Sequence, residues 1–426
     1  MALAALLGLF LLCLVASVPV AVALGLSSAA YLLIAGIPLV VIPQKFYAGI
    51  DVFVLLCIPG FILAGNLMNA GRITEAIVGF ANALVGWIRG GLGLTNVAGS
   101  MLFAGISGTA VADAASIGAV MIPGMKKSGY PAGFAAALTA ASSTIGPIIP
   151  PSVPMIIVGA LAGISVGRMF LAGAVPGLLL GFGLMIVCYQ LARRRGYPHQ
   201  PWAGWRRLGR SFLGAAWALA MTALIIGGLM SGKVTPTETS IVASVYAFVV
   251  GVFIYRGLKL RDVPKVMIDS AISSAGILVL VGFANVFGWI LASEQIPQML
   301  AHSVLAITDN KYLVILIINL LLLFVGMFME TIAALIILFG PLLAVAQSVG
   351  IDPVHFATFA VLNLMIGLTT PPVGVCLFVC ANIAKVPLGQ VVRALVPFLL
   401  VNLFVLLLVS YVPALSLWLP NLVFGK

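Results

Sequence analysis

Apolar runs of about 18 or more residues follow one another from end to end of this chain, and each is long enough to cross the hydrocarbon core of a bilayer. That feature leaves few folds open. In lipid every backbone polar group must find its partner inside the protein, so only helices or closed barrels cross. A barrel would show alternating segments of about ten residues instead. The sequence therefore predicts an all-α polytopic membrane protein. Composition agrees: 63% of residues are hydrophobic and 7% charged, against about half and about a quarter in soluble domains.

The net charge of +11 does not point to nucleic acid, because the lysines and arginines cluster in short loops. The densest cluster, "RRRGYPHQPWAGWRRLGR" from Arg193 to Arg210, is placed in the cytoplasm by the positive-inside rule. A second, Arg256 to Lys265, follows two apolar runs later on the same side, so "SGKVTPTE" between them faces outward. Counting back, the segment from Phe134 to Gly167 runs from inside to outside, with Lys126 and Lys127 inside. Arg168 and Lys233 read as span ends that snorkel. The first 24 residues lack a positive n-region and read as a retained helix. The five cysteines form no metal-type cluster and read as small core residues. His199, His302 and His355 read as loop or interface residues.

Three runs, near 3–23, 24–42 and 52–70, open the chain. Residues 71–91 have an apolar face and a polar edge, and fit either a helix at the cytoplasmic interface or an ordinary span. Residues 1–94 form a first, scaffold unit. Residues 95–127 are too long and too interrupted for one span. A hairpin of two half-helices with its tip at "SGT", Ser107 to Thr109, solves this, and a broken helix follows at 134–167. These fall in a unit 95–191, followed by the basic loop 192–212.

The plan then repeats. Spans near 213–231, 236–255 and 270–292 and an interfacial stretch 293–310 make up 213–310. A hairpin at 311–350 centred on "GMFMET" and a broken helix at 353–385 make up 311–390, and 391–426 is a C-terminal span. "GPIIPPS" aligns with "GLTTPPV": Gly146 with Gly367, Pro150 with Pro371 and Pro151 with Pro372, each offset by 221. Loop charges put the two hairpins on opposite faces, so the repeat reads as inverted.

A broken helix leaves N–H groups unpaired at one half-helix start and C=O groups unpaired at the other end. Carbonyls and nearby hydroxyls are hard oxygen ligands for Na⁺, and N-terminal ends favour a carboxylate. Proline lacks an N–H, which helps keep carbonyls free. A first Na⁺ site is expected from Ser107, Gly108, Thr109, Gly146 and Pro150, and a second from Gly326, Glu330, Thr331, Gly367, Thr369 and Thr370. Ser107, Asp113, Ser142, Ser143 and Pro151 are expected to meet substrate. Membrane hydroxyls more often bond a backbone carbonyl, and only the repeated constellation raises these. Asp113 and Glu330 stand out because intramembrane carboxylates are costly. "GGLMSGKV" has the G-x-x-x-x-G-K spacing of Gly227, Gly232 and Lys233, but Val234 replaces the Ser or Thr a phosphate loop needs. ATP hydrolysis is not expected.

At these residues, most densely in 103–177 from "FAGISGTAVADAASIGAVMIPGMKK" to "FLAGAVPG", the sequence resembles the large membrane subunit of the TRAP (tripartite ATP-independent periplasmic) transporters, along essentially the whole chain. The resemblance implies an ion-transporter-superfamily elevator fold with two re-entrant hairpins, similar to dicarboxylate/sodium symporters. It implies Na⁺ as coupling ion, no organic cofactor, and import of a small carboxylate: a C4-dicarboxylate, a sialic acid or another sugar acid. It also implies two partners, a separate small membrane subunit of about four spans and a periplasmic substrate-binding protein, and residence in the bacterial inner membrane. A stand-alone Na⁺- or H⁺-coupled organic anion symporter or antiporter of the same fold is the alternative. An intramembrane metalloprotease would need H-E-x-x-H or similar, which is absent.

Overall fold

Wherever the computed structural model assigns regular secondary structure, that structure is helical. It describes residues 2–16, 18–202, 204–231, 233–308 and 310–425. The side chains of Ser107, Leu300, Ala301 and residues 304–307 lie outside the described part, as does Gly232 of the rejected phosphate-loop run. The first ten helices are α1 (Ala2–Val15), α2 (Val20–Ile34), α3 (Val41–Ile50), α4 (Cys57–Ala70), α5 (Ile73–Val85), α6 (Gly91–Ser107), α7 (Ala110–Lys127), α8 (Ala132–Ser143), α9 (Val153–Ala162) and α10 (Val166–Arg195). The rest are α11 (Trp205–Met230), α12 (Pro236–Val249), α13 (Val263–Ser293), α14 (Ile296–Ile307), α15 (Lys311–Gly326), α16 (Thr331–Ser348), α17 (Pro353–Gly367), α18 (Val375–Ala384), α19 (Leu388–Tyr411) and α20 (Ala414–Phe424). Seven segments among the described residues are long and apolar enough to cross a bilayer.

Several boundaries differ from the hydropathy reading. Pro19 ends the apolar run 3–23 early, because it starts α2 and cannot continue α1. The run 24–42 stops at Ile34, and a separate short helix, α3, follows. Residues 205–212 of the expected basic loop are already helical in α11. The C-terminal segment is two helices, α19 and α20. His355, read as a loop or interface residue, is buried instead, with Nε2 3.0 Å from Val409 O.

Local chemistry sets many of the ends. Thr235 and Glu238 form a capping box around Pro236 at the start of α12. Asp352 Oδ1 accepts from the Val354 and His355 amides, capping α17 with Pro353 in its first turn. Asn310 caps α15 the same way. Small residues then allow close approach between helices. Gly49 of α3 lies on Asn285 of α13, Gly282 of α13 on the Phe46 ring, and Gly60 of α4 on Ser240 of α12.

The most enclosed helices are α8 and α17, buried on every face from Gly133 to Ser143 and from Val354 to Gly367. A helix apolar all round belongs in a core. Around them the two halves interlock: α18 packs on α7 and α8, while α9 packs on α16 and α17. The interlock brings the two proline breaks, far apart in sequence, into one neighbourhood.

Candidate functional site

In the first half α6 ends at Ser107, Gly108 takes a left-handed conformation (φ 63°), and α7 starts after Thr109. Only a residue without Cβ adopts that turn cheaply. A parallel helix lies alongside: Asn96 Nδ2 donates to Thr139 Oγ1 (2.6 Å) and Ser100 Oγ to Ser142 Oγ (2.9 Å), pairing increasing numbers on α6 with increasing numbers on α8. The C-terminal ends of α6 and α8 therefore point the same way. Beyond α8 the chain is broken from Thr144 to Ser152, with a cis bond between Pro150 and Pro151, and α9 restarts at Val153. Ser152 caps that restart, accepting from the Met155 amide and donating to Pro147 O.

The tip meets the break at two points. Gly108 faces Pro151, where an added Cβ would lie 3.1 Å from Pro151 O. Asp113, buried in the first turn of α7, has its carboxylate against Gly146, so closely that a Cβ there would overlap Oδ2. No backbone N–H among the described residues donates to the Gly146 or Pro150 carbonyls. Ser142, Ser143 and Thr144 are buried and donate back to Thr139 O, Ala140 O and Ala141 O. Each hydroxyl has thus committed its proton and presents lone pairs, as a cation ligand must. Two negative helix ends and a buried carboxylate suit a cation, while the starts of α7 and α9 supply positive ends for an anion.

The second half is built alike. Gly326 ends α15 and contacts Gly367 at the end of α17 backbone to backbone; a Cβ on Gly367 would lie 2.6 Å from Gly326 C and Cα. The break from Leu368 to Gly374 again contains a cis bond, Pro371–Pro372. Thr369 and Thr370 both donate to Ile366 O, at 2.9 and 2.8 Å. Thr331 Oγ1 is buried at the start of α16 with no hydrogen-bond partner among the described residues. Glu330 is exposed, and one of its carboxylate oxygens caps α16 at the Ala333 amide (3.1 Å).

Two features of the site were not anticipated from the sequence. Cys376, two residues past Gly374, lies near Ser143 and Asp113 where α18 packs on α7 and α8, so the second break abuts the first site. Asn363 carries the same offset of 221 from Ser142 that joins Gly146 to Gly367, and it too clasps the parallel helix: Nδ2 donates to Asn319 Oδ1 and O, both 2.8 Å. That offset was the available signal. Asn363→Ala should destabilise the protein by about 1–3 kcal/mol, because Asn319 loses its buried donor. Thermal unfolding in detergent checks this, and an unchanged midpoint would show that the clasp contributes nothing.

Residues 7–415 match the family described as "Tripartite ATP-independent periplasmic transporter, DctM component". The chain is 44% identical over 382 residues, 90% of each chain, to the sialic acid TRAP transporter large permease protein SiaM of Vibrio cholerae. It is 40% identical over 377 residues, 88% of each, to the C4-dicarboxylate TRAP transporter large permease protein DctM of Pseudomonas aeruginosa. Among solved structures it resembles the Alcanivorax borkumensis YdaH transporter, with TM-score 0.63 and 16% identity, covering 88% of this chain and 87% of that one. At that identity the likeness concerns the fold.

Proposed function

Since the chain belongs to the DctM-component family of tripartite ATP-independent periplasmic transporters, a membrane permease rather than an enzyme, we propose that it is the sodium-coupled importer subunit for a small carboxylate. The observation that carries this reading is the contact of the Asp113 carboxylate with the backbone at Gly146, beside the carbonyls of the first break that no backbone N–H among the described residues reaches. A buried carboxylate beside the backbone oxygens of a helix break is a favourable setting for a cation. The positive starts of α7 and α9 then offer an adjacent place for the substrate carboxylate. Sialic acid and C4-dicarboxylates, carried by the relatives' systems, are the substrate classes to screen first.

In the same reading, the tip–break pairs α6–α9 and α15–α18 are two re-entrant hairpins and two broken helices of an inverted repeat. They move as an elevator against α1–α4 and α11–α13, in the inner membrane. A separate small subunit and a periplasmic binding protein complete the system. The reading predicts uptake into proteoliposomes only when the cognate binding protein, the small subunit and an inward Na⁺ gradient are all supplied. Equal uptake without the binding protein would instead favour a stand-alone symporter, and uptake indifferent to Na⁺ would remove the coupling ion.

Thr370→Ala and Ser107→Ala should each raise the Na⁺ concentration for half-maximal uptake about tenfold, the size of one lost charge-assisted ligand bond. Wild-type Na⁺ curves in both variants would reassign the ligands.

A further inference from the structure

A cavity of about 400 Å³ opens between α3 and α13 on one side and α9 and α16 on the other. Its walls are apolar side chains and glycines such as Val281, Leu291, Ile157 and Ile336, with a single polar side chain, Asn285. One N–H of the Asn285 amide donates to Lys45 O at 2.6 Å. Asn285 and a few backbone groups are the polar partners these walls offer, so most of the slot suits an apolar guest better than water.

At the edge of this cavity lies a cation. Lys45 is one turn before Ala48 on α3, and its Nζ is 5.3 Å from the centre of the ring of Trp289, the neighbour of Gly288 on α13. No carboxylate among the described residues forms an ion pair with Lys45. A lysine beside a tryptophan, at the edge of an apolar slot in a membrane protein, matches a lipid: tail in the slot, phosphate at the rim. We propose that this cavity is a phospholipid site, with an acyl chain between α3/α13 and α9/α16 and the headgroup phosphate on Lys45. The test reads lipid directly rather than transport, so its outcome does not depend on the coupling ion.

Two glycines make the test clean. A Cβ added at Gly288 or Gly340, on opposite walls, meets no heavy atom within 4 Å. Gly288→Leu with Gly340→Leu therefore adds bulk to the slot from positions where Cβ meets no neighbour, and leucine favours the helix over glycine. The purified chain is placed in nanodiscs containing phosphatidylglycerol with a diazirine at the acyl terminus, irradiated and peptide-mapped. The wild type should be labelled at 157–161 and 336–341. The double variant should lose that label about tenfold, as expected for roughly two buried methylenes. Label near Phe404, on the exposed face of α19, should not change. Lys45→Gln should reduce the cavity label about fivefold, the worth of one basic residue at an anionic headgroup. Gly288→Leu alone serves if the double variant does not fold. Undiminished label in the filled variant, or a wild type labelled near Phe404 but not at 157–161 and 336–341, overturns the proposal.

Discussion

Gly146→Ala is expected to reduce uptake about 100-fold while the protein still inserts and purifies as a monodisperse species. The methyl would occupy the place of Asp113 Oδ2. The atom that must move is the end of a side chain, so the fold survives at a cost of about 1–3 kcal/mol. The site does not survive as well. Displacing a pre-organised charged group by ~1 Å is the kind of change that costs ~10²-fold in rate. The check is paired: uptake driven by a Na⁺ gradient, and thermal unfolding of the same preparation. Asp113→Ala in the Gly146→Ala background should not recover uptake, because it removes the carboxylate along with the clash. Wild-type uptake by Gly146→Ala would mean that Asp113 has no part in ion or substrate binding.

Much of this site could be read from the chain before any coordinates. The Pro-Pro breaks are local chemistry: proline cannot continue a helix, so the break is fixed by the residues that make it. The tips at Gly108 and Gly326 were legible because polar residues and glycine interrupt otherwise apolar runs. Other features were not. Cys376 reaches Ser143 and Asp113 from the other half, and no spacing in the sequence encodes that meeting; it follows from α18 packing on α7 and α8. His355 looked like a loop residue because Asp352 and Pro353 precede it, yet those two residues start a helix that is buried on every side. The end of α1 was misplaced because hydropathy is uniform across it while Pro19 decides the backbone. The lipid slot has no sequence signal of its own, being made of what four elements leave out, at Gly288 and Gly340 above all.

The matching position in the second half should respond differently, and the contrast tests whether the two breaks have diverged. Gly367→Ala is expected to destabilise the protein by ~3 kcal/mol and to cut the yield of folded material, with the uptake lost in proportion to the protein lost. A Cβ there lies 2.6 Å from Gly326 C and Cα, and 2.8 Å from Gly326 O. All three are backbone atoms at the end of α15, and no rotamer change moves them. Relief requires α15 and α17 to separate, and Asn319 and Asn363 clasp those helices together 44 residues apart in sequence. Separation therefore strains buried hydrogen bonds as well as packing. Gly326→Ala should behave more mildly, since its Cβ would meet Gly367 Cα at 3.2 Å and the Leu364 side chain at 3.3 Å, contacts that yield by a few tenths of an ångström. The measurements are thermal unfolding and uptake per folded molecule for Gly146→Ala, Gly326→Ala and Gly367→Ala side by side. If Gly367→Ala keeps wild-type stability but loses uptake as Gly146→Ala does, the second break is a ligand site held by a side chain that can move, and the backbone contact at Gly326 is incidental.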